Sequence, residues 1–66
     1  MQYRVRLLAT NKKEYDAIVE SHSLNSAKIM AKAFAAIEGF KLDAILAVYE
    51  KSEPWQSWKR VEGIAE

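Results

Sequence analysis

Alternation of apolar and polar side chains near the start of the chain restricts its fold more than any other feature. Within residues 2–10 the odd-numbered positions 3–9 are occupied by Tyr3, Val5, Leu7 and Ala9, and the even-numbered positions include Arg4, Arg6 and Leu8. Successive side chains of a β-strand point to opposite faces, so a period of two predicts a strand with one face on the core.

A second alternating run follows the polar segment "NKKE" at residues 11–14. Its apolar parity consists of Tyr15, Ala17 and Val19. Because Asn and charged residues are typical of turns, the two runs predict a β-hairpin. The outer face of this hairpin would bring Arg4 and Arg6 opposite Asp16 and Glu20, and such cross-strand pairs each stabilise a sheet by roughly 0.2–1 kcal/mol.

At residue 24 the apolar spacing changes to that of a helix. The apolar stripe consists of Ala27, Met30, Ala31, Phe34 and Ile37, and the polar side carries Lys28 and Lys32. Ser23 is suited to cap the first turn, and Gly39 is suited to the left-handed position that ends a helix. These signals together predict a helix over residues 24–38.

The remaining third of the chain predicts two further strands. Residues 40–51 are apolar on both parities, which is typical of a central or covered strand. One parity consists of Leu42, Ala44, Leu46 and Val48, and the other of Ile45, Ala47 and Tyr49. Pro54 breaks this run, and "WQSWKRV" at 55–61 could pair antiparallel to it. The order predicts one α+β domain spanning residues 1–66, a ββαββ fold in which one helix packs on one face of a four-stranded antiparallel sheet.

Composition excludes several ways of stabilising so small a chain. The 66 residues include no cysteine and one histidine, so neither disulfides nor a Cys/His zinc set can form. Folding must rest on apolar packing, with oligomerisation as the remaining support. The formal net charge of +1 argues against strong non-specific binding of nucleic acid.

The sequence favours a cytoplasmic protein with no membrane partner and no cofactor. No apolar run approaches the roughly 20 residues of a membrane span, and the charges within "MQYRVRLLAT" are unlike those of a signal peptide. No glycine-rich phosphate loop is present. His22 has no evident nucleophile or acid partner, and Asp16 and Glu20 are expected to form ion pairs with arginines. We therefore predict that the protein is not an enzyme.

Three surfaces are candidates for binding. The first is the helix side with Lys28 and Lys32, for which an ordinary solvated face is the alternative. The second is the sheet face away from the helix, where charged and apolar groups mix as they do at interfaces. Its expected members are Arg4, Arg6, Leu8, Ile18, Ile45 and Tyr49. Cover by the C-terminal segment of the chain is one alternative for this face, and a homodimer seam and a foreign partner are equally compatible with it. The third is the C-terminal hairpin.

Trp55 and Trp58 are three residues apart, so a regular strand would place them on opposite faces. One ring would then cap the core near Phe34 or Phe40 and the other would be exposed. A bulge would instead turn both rings to the core. Both arrangements stay open from the sequence, and Trp58 is the residue we expect to be exposed.

These surfaces lead to one functional hypothesis and two alternatives. We expect a non-enzymatic protein that binds a protein or ribonucleoprotein complex and occludes part of its surface. The predicted contact residues are Arg4, Arg6, Lys28, Lys32, Tyr49, Trp58, Lys59 and Arg60. One alternative is a sheet that stacks unpaired bases on its aromatic residues, and the other is a homo-oligomeric structural protein.

Residues 16–34, "DAIVESHSLNSAKIMAKAF", resemble the strand–helix junction of many small bacterial and bacteriophage proteins. The chain is also similar to the small type I-F anti-CRISPR proteins in length, in the helix start "LNSAKIMAK" and in a closing hairpin with Trp and basic residues. The resemblance implies that the protein is a phage-encoded inhibitor and that its fold is a sheet with one helix. It also implies binding to a CRISPR surveillance complex in the host cytoplasm, which blocks target DNA. The basic contacts by position would be Lys28, Lys32, Lys59 and Arg60. The long apolar third strand and the near-neutral charge depart from that family.

Overall fold

The computed structural model describes residues 1–63 and has the predicted ββαββ architecture. Its elements are β1 Gln2–Ala9, β2 Glu14–Glu20, α1 Leu24–Glu38, β3 Leu42–Lys51 and β4 Lys59–Gly63. The four strands form one antiparallel sheet in the order β2-β1-β3-β4, and α1 packs against β1 and β2. The predicted domain runs to residue 66, and its last three residues lie outside the described part of the chain.

The turn that joins β1 to β2 contains one residue in the left-handed conformation. Lys12 has a φ of 73°, and its amide donates to the Ala9 carbonyl at 3.0 Å. The Ala9 amide in turn donates to the Lys13 carbonyl at 2.9 Å, and the Asn11 side chain accepts from the Lys13 amide at 3.1 Å. An Asx side chain that bonds the backbone two residues on is a common means of closing such a turn. From this turn β1 and β2 pair without a register shift, with Tyr3 opposite Val19.

Both ends of the helix are capped as the sequence predicts. The Ser23 hydroxyl oxygen accepts from the Ser26 amide at 3.2 Å. Gly39 has a φ of 81°, and the amides of Gly39 and Phe40 both donate to the Ala35 carbonyl. This is a Schellman arrangement, in which a residue beyond the helix often packs back on its last turns. Phe40 does so, with its ring 6.2 Å from that of Phe34.

The face that α1 buries differs from the predicted apolar stripe. The fully buried helix residues are Ala27, Ala31 and Ala35, which are spaced by four and carry small side chains. These alanines let the helix backbone approach the sheet closely, and Phe34 flanks the contact. Met30 and Ile37, which were predicted to face the core, are 39% and 84% exposed. The helix is therefore rotated toward its alanines and leaves larger apolar side chains uncovered.

Strand β3 contains two irregularities that change which residues face the core. The pairing of β1 with β3 shifts between Arg6 and Leu7 and again between Leu8 and Ala9. A bulge adds a residue to one strand and reverses the parity beyond it. Ile45 consequently packs against the core, and it does not lie on the opposite face as predicted. Ala44 pairs with Leu8, on the opposite face from its predicted side.

The core lies between α1 and the inner sides of the strands. Its largest fully buried side chains are Val5, Leu7 and Val48. At one end it is closed by three aromatic rings, those of Tyr15, Phe34 and Phe40, which we call the core aromatic cluster. Tyr15 and Phe40 stack with their centroids 4.2 Å apart, which joins the end of the helix to strand β2.

Candidate binding surface

The face of the sheet turned away from α1, called the open face here, has no helix or strand of residues 1–63 packed across it. Strand β1 contributes the half-buried side chains of Gln2, Arg4, Arg6 and Leu8 to this face. Partners directly across an antiparallel ladder share a face. Tyr49 is the partner of Arg4, Lys51 is the partner of Gln2, and Arg60 is the partner of Tyr49. Basic and aromatic side chains from three strands thus meet on one surface.

Cations lie against the aromatic rings of this surface. The Arg4 guanidinium is 5.5 Å from the Tyr49 ring centroid, and Lys51 Nζ is 4.5 Å from that of Trp58. Cation–π contacts at exposed sites each contribute about 0.5–1 kcal/mol. We call the five residues Arg4, Tyr49, Lys51, Trp58 and Arg60 the basic-aromatic patch. It occupies the β3–β4 side of the open face together with the adjoining part of β1.

The β2 side of the open face is acidic and is neutralised by arginines. Arg4 Nη2 donates to Asp16 Oδ2 at 3.2 Å, and Arg6 Nε lies 3.5 Å from Asp16 Oδ1 and 3.9 Å from Glu14 Oε1. The charge of Asp16 raises the pKa of Arg6 above its ordinary value. A group whose pKa is raised on folding contributes stability below its titration range, so the contribution of Arg6 is lost only as the pH rises through the range where arginine titrates.

The connection between β3 and β4, residues 52–58, is called the Trp loop here, and a single side chain organises it. Gln56 Oε1 accepts hydrogen bonds from the Ser52 amide at 3.0 Å, the Ser52 hydroxyl at 2.8 Å and the Glu53 amide at 3.1 Å. The Gln56 amide donates to the Glu53 carbonyl at 3.0 Å. Trp55 lies between the hydrogen-bonded residues of this turn, and its side chain is 80% exposed. Lys51 Nζ also donates to the Pro54 carbonyl at 3.4 Å, which ties the Trp loop to the patch.

Both predicted placements of the tryptophans are wrong, because neither ring joins the core. Trp58 is half-buried against Lys51 on the open face, and Trp55 projects from the Trp loop. The reason is that the fourth strand begins at Lys59, four residues later than the predicted run at 55–61. Trp55 and Trp58 therefore both lie before the strand, and the alternation of side chains between the two faces of a sheet does not determine where they point.

The structure brings together five of the eight predicted contact residues and separates three. Arg4, Arg6, Tyr49, Trp58 and Arg60 share the open face. Lys59 pairs with Glu50 and lies on the opposite side of β4 from Arg60. Lys28 forms an ion pair with Glu62, and Lys32 is exposed on the helix. The predicted residues therefore do not form one continuous surface.

Three residues of this surface were missed from the sequence, namely Lys51, Trp55 and Gln56. Lys51 shares the parity of Tyr49 two residues earlier, so the alternation of β3 contained the signal for it. Pro54 marked a turn, and a turn is where Trp55 is displayed. The role of Gln56 depends on hydrogen bonds within the Trp loop, which residue spacing does not reveal.

Within residues 1–63, His, Cys, Asp and Glu side chains form no group of three that could hold a metal ion. His22 is exposed immediately before the helix cap. No helix in the described part of the chain is both long enough and apolar enough to cross a membrane.

No protein-family model, no curated protein and no solved structure matches this chain.

Proposed function

We propose that this protein is a non-enzymatic binding protein that occludes part of the surface of a protein or ribonucleoprotein partner. The observation that carries the proposal is the exposure of Trp55 on a loop held by Gln56, beside the basic-aromatic patch. Trp, Tyr and Arg are the residue types that most often dominate the energy of an interface. The patch and the Trp loop together contain all three types.

The Trp loop is already ordered in the protein without a partner. Ordering a loop or an exposed side chain on binding costs about 0.5–1.5 kcal/mol per immobilised side chain, and a preformed loop avoids part of that cost. The three hydrogen bonds to Gln56 Oε1 hold the backbone on both sides of Pro54 and Trp55. Such a loop suits an apolar pocket of a partner that can enclose one indole ring.

The chemistry of the open face favours a protein surface over unpaired bases. Arg4 and Lys51 lie over the rings of Tyr49 and Trp58, so one face of each ring is already occupied by a cation and is not free for a base to stack on. Carboxylates of Glu14 and Asp16 share the same side of the sheet, and the net charge of the chain is only +1. A partner that offers carboxylates to the cations and an apolar pocket to Trp55 fits these features best.

Single-stranded nucleic acid is the second candidate, because two aromatic rings lie among three cations on one sheet face. Titration of fluorescent DNA and RNA oligonucleotides at two salt concentrations separates the candidates. Binding that falls steeply as salt rises favours nucleic acid, since phosphate contacts release counterions. Weak binding at both salt concentrations favours the protein partner.

The resemblance to the small anti-CRISPR proteins suggests one specific target, which stays a prediction. Phage-encoded inhibition in the host cytoplasm would follow from it, as would competition with target DNA. The direct check is to add the protein to a purified type I-F surveillance complex and measure target-DNA binding. Unchanged DNA binding at saturating protein would remove this target and leave the general proposal standing.

Two neighbouring residues of β4 provide a matched test of the general proposal. Arg60 lies on the open face and Lys59 lies on the other face, and both are exposed. The immobilised protein is used to capture partners from bacterial lysate, in parallel with Arg60→Ala, Trp58→Ala and Lys59→Ala. We expect the same specific protein to be lost with the first two variants and retained with the third. Equal retention by all variants, or no specific protein with the unmodified chain, would contradict the proposal.

A further inference from the structure

Strand β2 is an unpaired and regular edge of the sheet. It pairs with β1 alone, over seven residues and without a register shift. The Ser21 amide donates to the Met1 carbonyl, and the Ala9 amide donates to the Lys13 carbonyl. Bonded pairs alternate along an antiparallel ladder, so the odd-numbered residues of β2 bond to β1. The amides of Asp16, Ile18 and Glu20 therefore point outward, as a template for another strand.

An apolar groove runs beside this edge, between β2 and the helix. It is lined by Val19, Met30, Ala33, Phe34, Ile37 and Glu38. Ile37 is 84% exposed, and Ile18 on the other side of the same strand is 65% exposed. Because α1 buries only alanines fully, its larger apolar side chains remain uncovered along the β2 side. The unpaired edge of β2 and the apolar side of the helix are therefore adjacent, and one binding partner can cover both.

We infer that the occupant is a second copy of this chain, which pairs β2 with β2 antiparallel about a two-fold axis through Ile18. In this register the two Ile18 side chains meet on the open face. Asp16 lies opposite Glu20 of the second copy, a like-charge pair that is unfavourable by itself. Cations beside each carboxylate offset it, with Arg4 and Arg6 at Asp16 and the Met1 amino group at Glu20. The two helices approach on the other side of the sheet, where Met30 of one copy can meet Ile37 of the other. Antiparallel pairing about a two-fold axis is isologous, so each copy offers the same surface.

Three observations favour a second copy over a foreign strand. The occupant must supply an outward-facing strand edge and an apolar helix side in one arrangement, and this chain has both. The edge is electrically balanced, because Glu14 and Asp16 lie near Arg4 and Arg6, and Glu20 lies 3.2 Å from the Met1 amino group. A charged foreign peptide would therefore gain little attraction there. A chain of 66 residues without cysteine also belongs to the size class that oligomerisation commonly stabilises.

The inferred dimer is independent of the proposed function. Its continuous sheet has eight strands, and both basic-aromatic patches lie on the same open face at the two outer ends. The opposite edge, β4, has five residues, a register shift and Gly63 at a φ of 138°, so it is a poorer template for strand pairing.

Sedimentation equilibrium across a range of concentrations tests the inference, with a matched set of variants. Ile18→Lys and Ile37→Lys place a charge in the proposed seam, and each should raise the dimer dissociation constant roughly tenfold or more. Ile29→Lys is the control, because Ile29 is 66% exposed on the same helix but does not line the groove. All three positions are exposed, and circular dichroism verifies that each variant is folded.

Hydrogen exchange measured above and below the dissociation constant identifies the seam. The amides of Asp16, Ile18 and Glu20 should exchange more slowly in the dimer, because strand pairing engages them. A chain that stays monomeric at every concentration would overturn the inference. So would a dimer in which these amides exchange at the monomer rate, or one that Ile29→Lys weakens as much as Ile37→Lys does.

Discussion

The core aromatic cluster and the basic-aromatic patch are built from similar residues but have different surroundings. Phe40 lies in the connection that enters β3, and its ring contacts the rings of Tyr15 and Phe34. Trp58 lies in the connection that enters β4, and its ring contacts the ammonium group of Lys51. The first cluster closes one end of the core, whereas the second faces away from the helix on an uncovered sheet.

The neighbours of an aromatic ring, and not its position before a strand, decide its role. Rings that contact rings and core side chains contribute to the free energy of unfolding. Rings held among cations on an uncovered face contribute little to folding and remain available to a partner. Substitutions in the two clusters and in the segments beside them test this distinction.

Phe40→Ala should have the largest effect. Removal of a buried phenylalanine side chain costs about 3–5 kcal/mol. Because Phe40 is only half-buried, we expect a loss at the lower end of this range, about 3 kcal/mol, in the free energy of unfolding. Urea denaturation followed by circular dichroism measures it. Trp58→Ala, the corresponding change in the patch, should cost less than about 1 kcal/mol. Equal losses for the two variants would remove the distinction between the clusters.

Gly63→Ala should destabilise the chain by about 2 kcal/mol through strand β4. A Cβ atom at Gly63 would lie 2.8 Å from both the Cα and the Cβ of Ala47, and the φ of 138° is unfavourable for any other residue. Gly39→Ala is the control, since Gly39 has a φ of 81° but no atom within 4 Å of an added Cβ. It should cost about 1 kcal/mol. A larger loss at Gly39 than at Gly63 would mean that β4 does not approach Ala47 closely.

Gln56→Ala should weaken partner binding while changing the free energy of unfolding by no more than about 1 kcal/mol. The variant removes the acceptor of three hydrogen bonds that hold the Trp loop. We expect the affinity for the captured partner to fall about tenfold, because the loop must then be ordered on binding. Gln56→Glu retains acceptor oxygens at this position and should bind nearly normally. Normal binding by Gln56→Ala would show that the hydrogen bonds to Gln56 do not contribute to the affinity for the partner.

Lys28→Ala should have a small effect, a loss of about 0.5 kcal/mol from a surface ion pair with Glu62. The pair joins α1 to β4 on the side of the sheet opposite the patch. Partner capture should therefore be unchanged, and a thermal melt in low and high salt should show the stability difference shrinking as salt rises. Loss of the partner in this variant would move the binding surface to the helix.

The sequence was sufficient for the fold because each element carried its own local signal. The alternation in β1 and β2, the Ser23 and Gly39 caps and the break at Pro54 each act within a few residues. Side-chain orientation in β3 was predicted wrongly at Ile45, since a bulge depends on pairing with β1 and leaves no mark on the apolar pattern. The rotation of α1 was also missed, because it depends on how closely alanines let the helix approach the sheet.

The candidate surface was predictable where strand parity decides it. Arg4, Arg6 and Tyr49 follow from the alternation of regular strand segments. Trp55 was not predictable in the same way, because residues 52–58 form a loop whose shape depends on hydrogen bonds to Gln56. Partner recognition is a property of the folded surface, and only the surrounding side chains distinguish a displayed tryptophan from a buried one.

Trp55→Ala, measured for folding and for binding on the same preparation, distinguishes a role of this ring in the interface from a role in the fold. Because Trp55 is 80% exposed, the free energy of unfolding should change by less than about 0.5 kcal/mol. Affinity for the captured partner should fall by roughly thirtyfold or more, the effect of losing a dominant interface residue. A large loss of stability together with undiminished partner affinity would contradict the account, because Trp55 would then support the fold and not the interface.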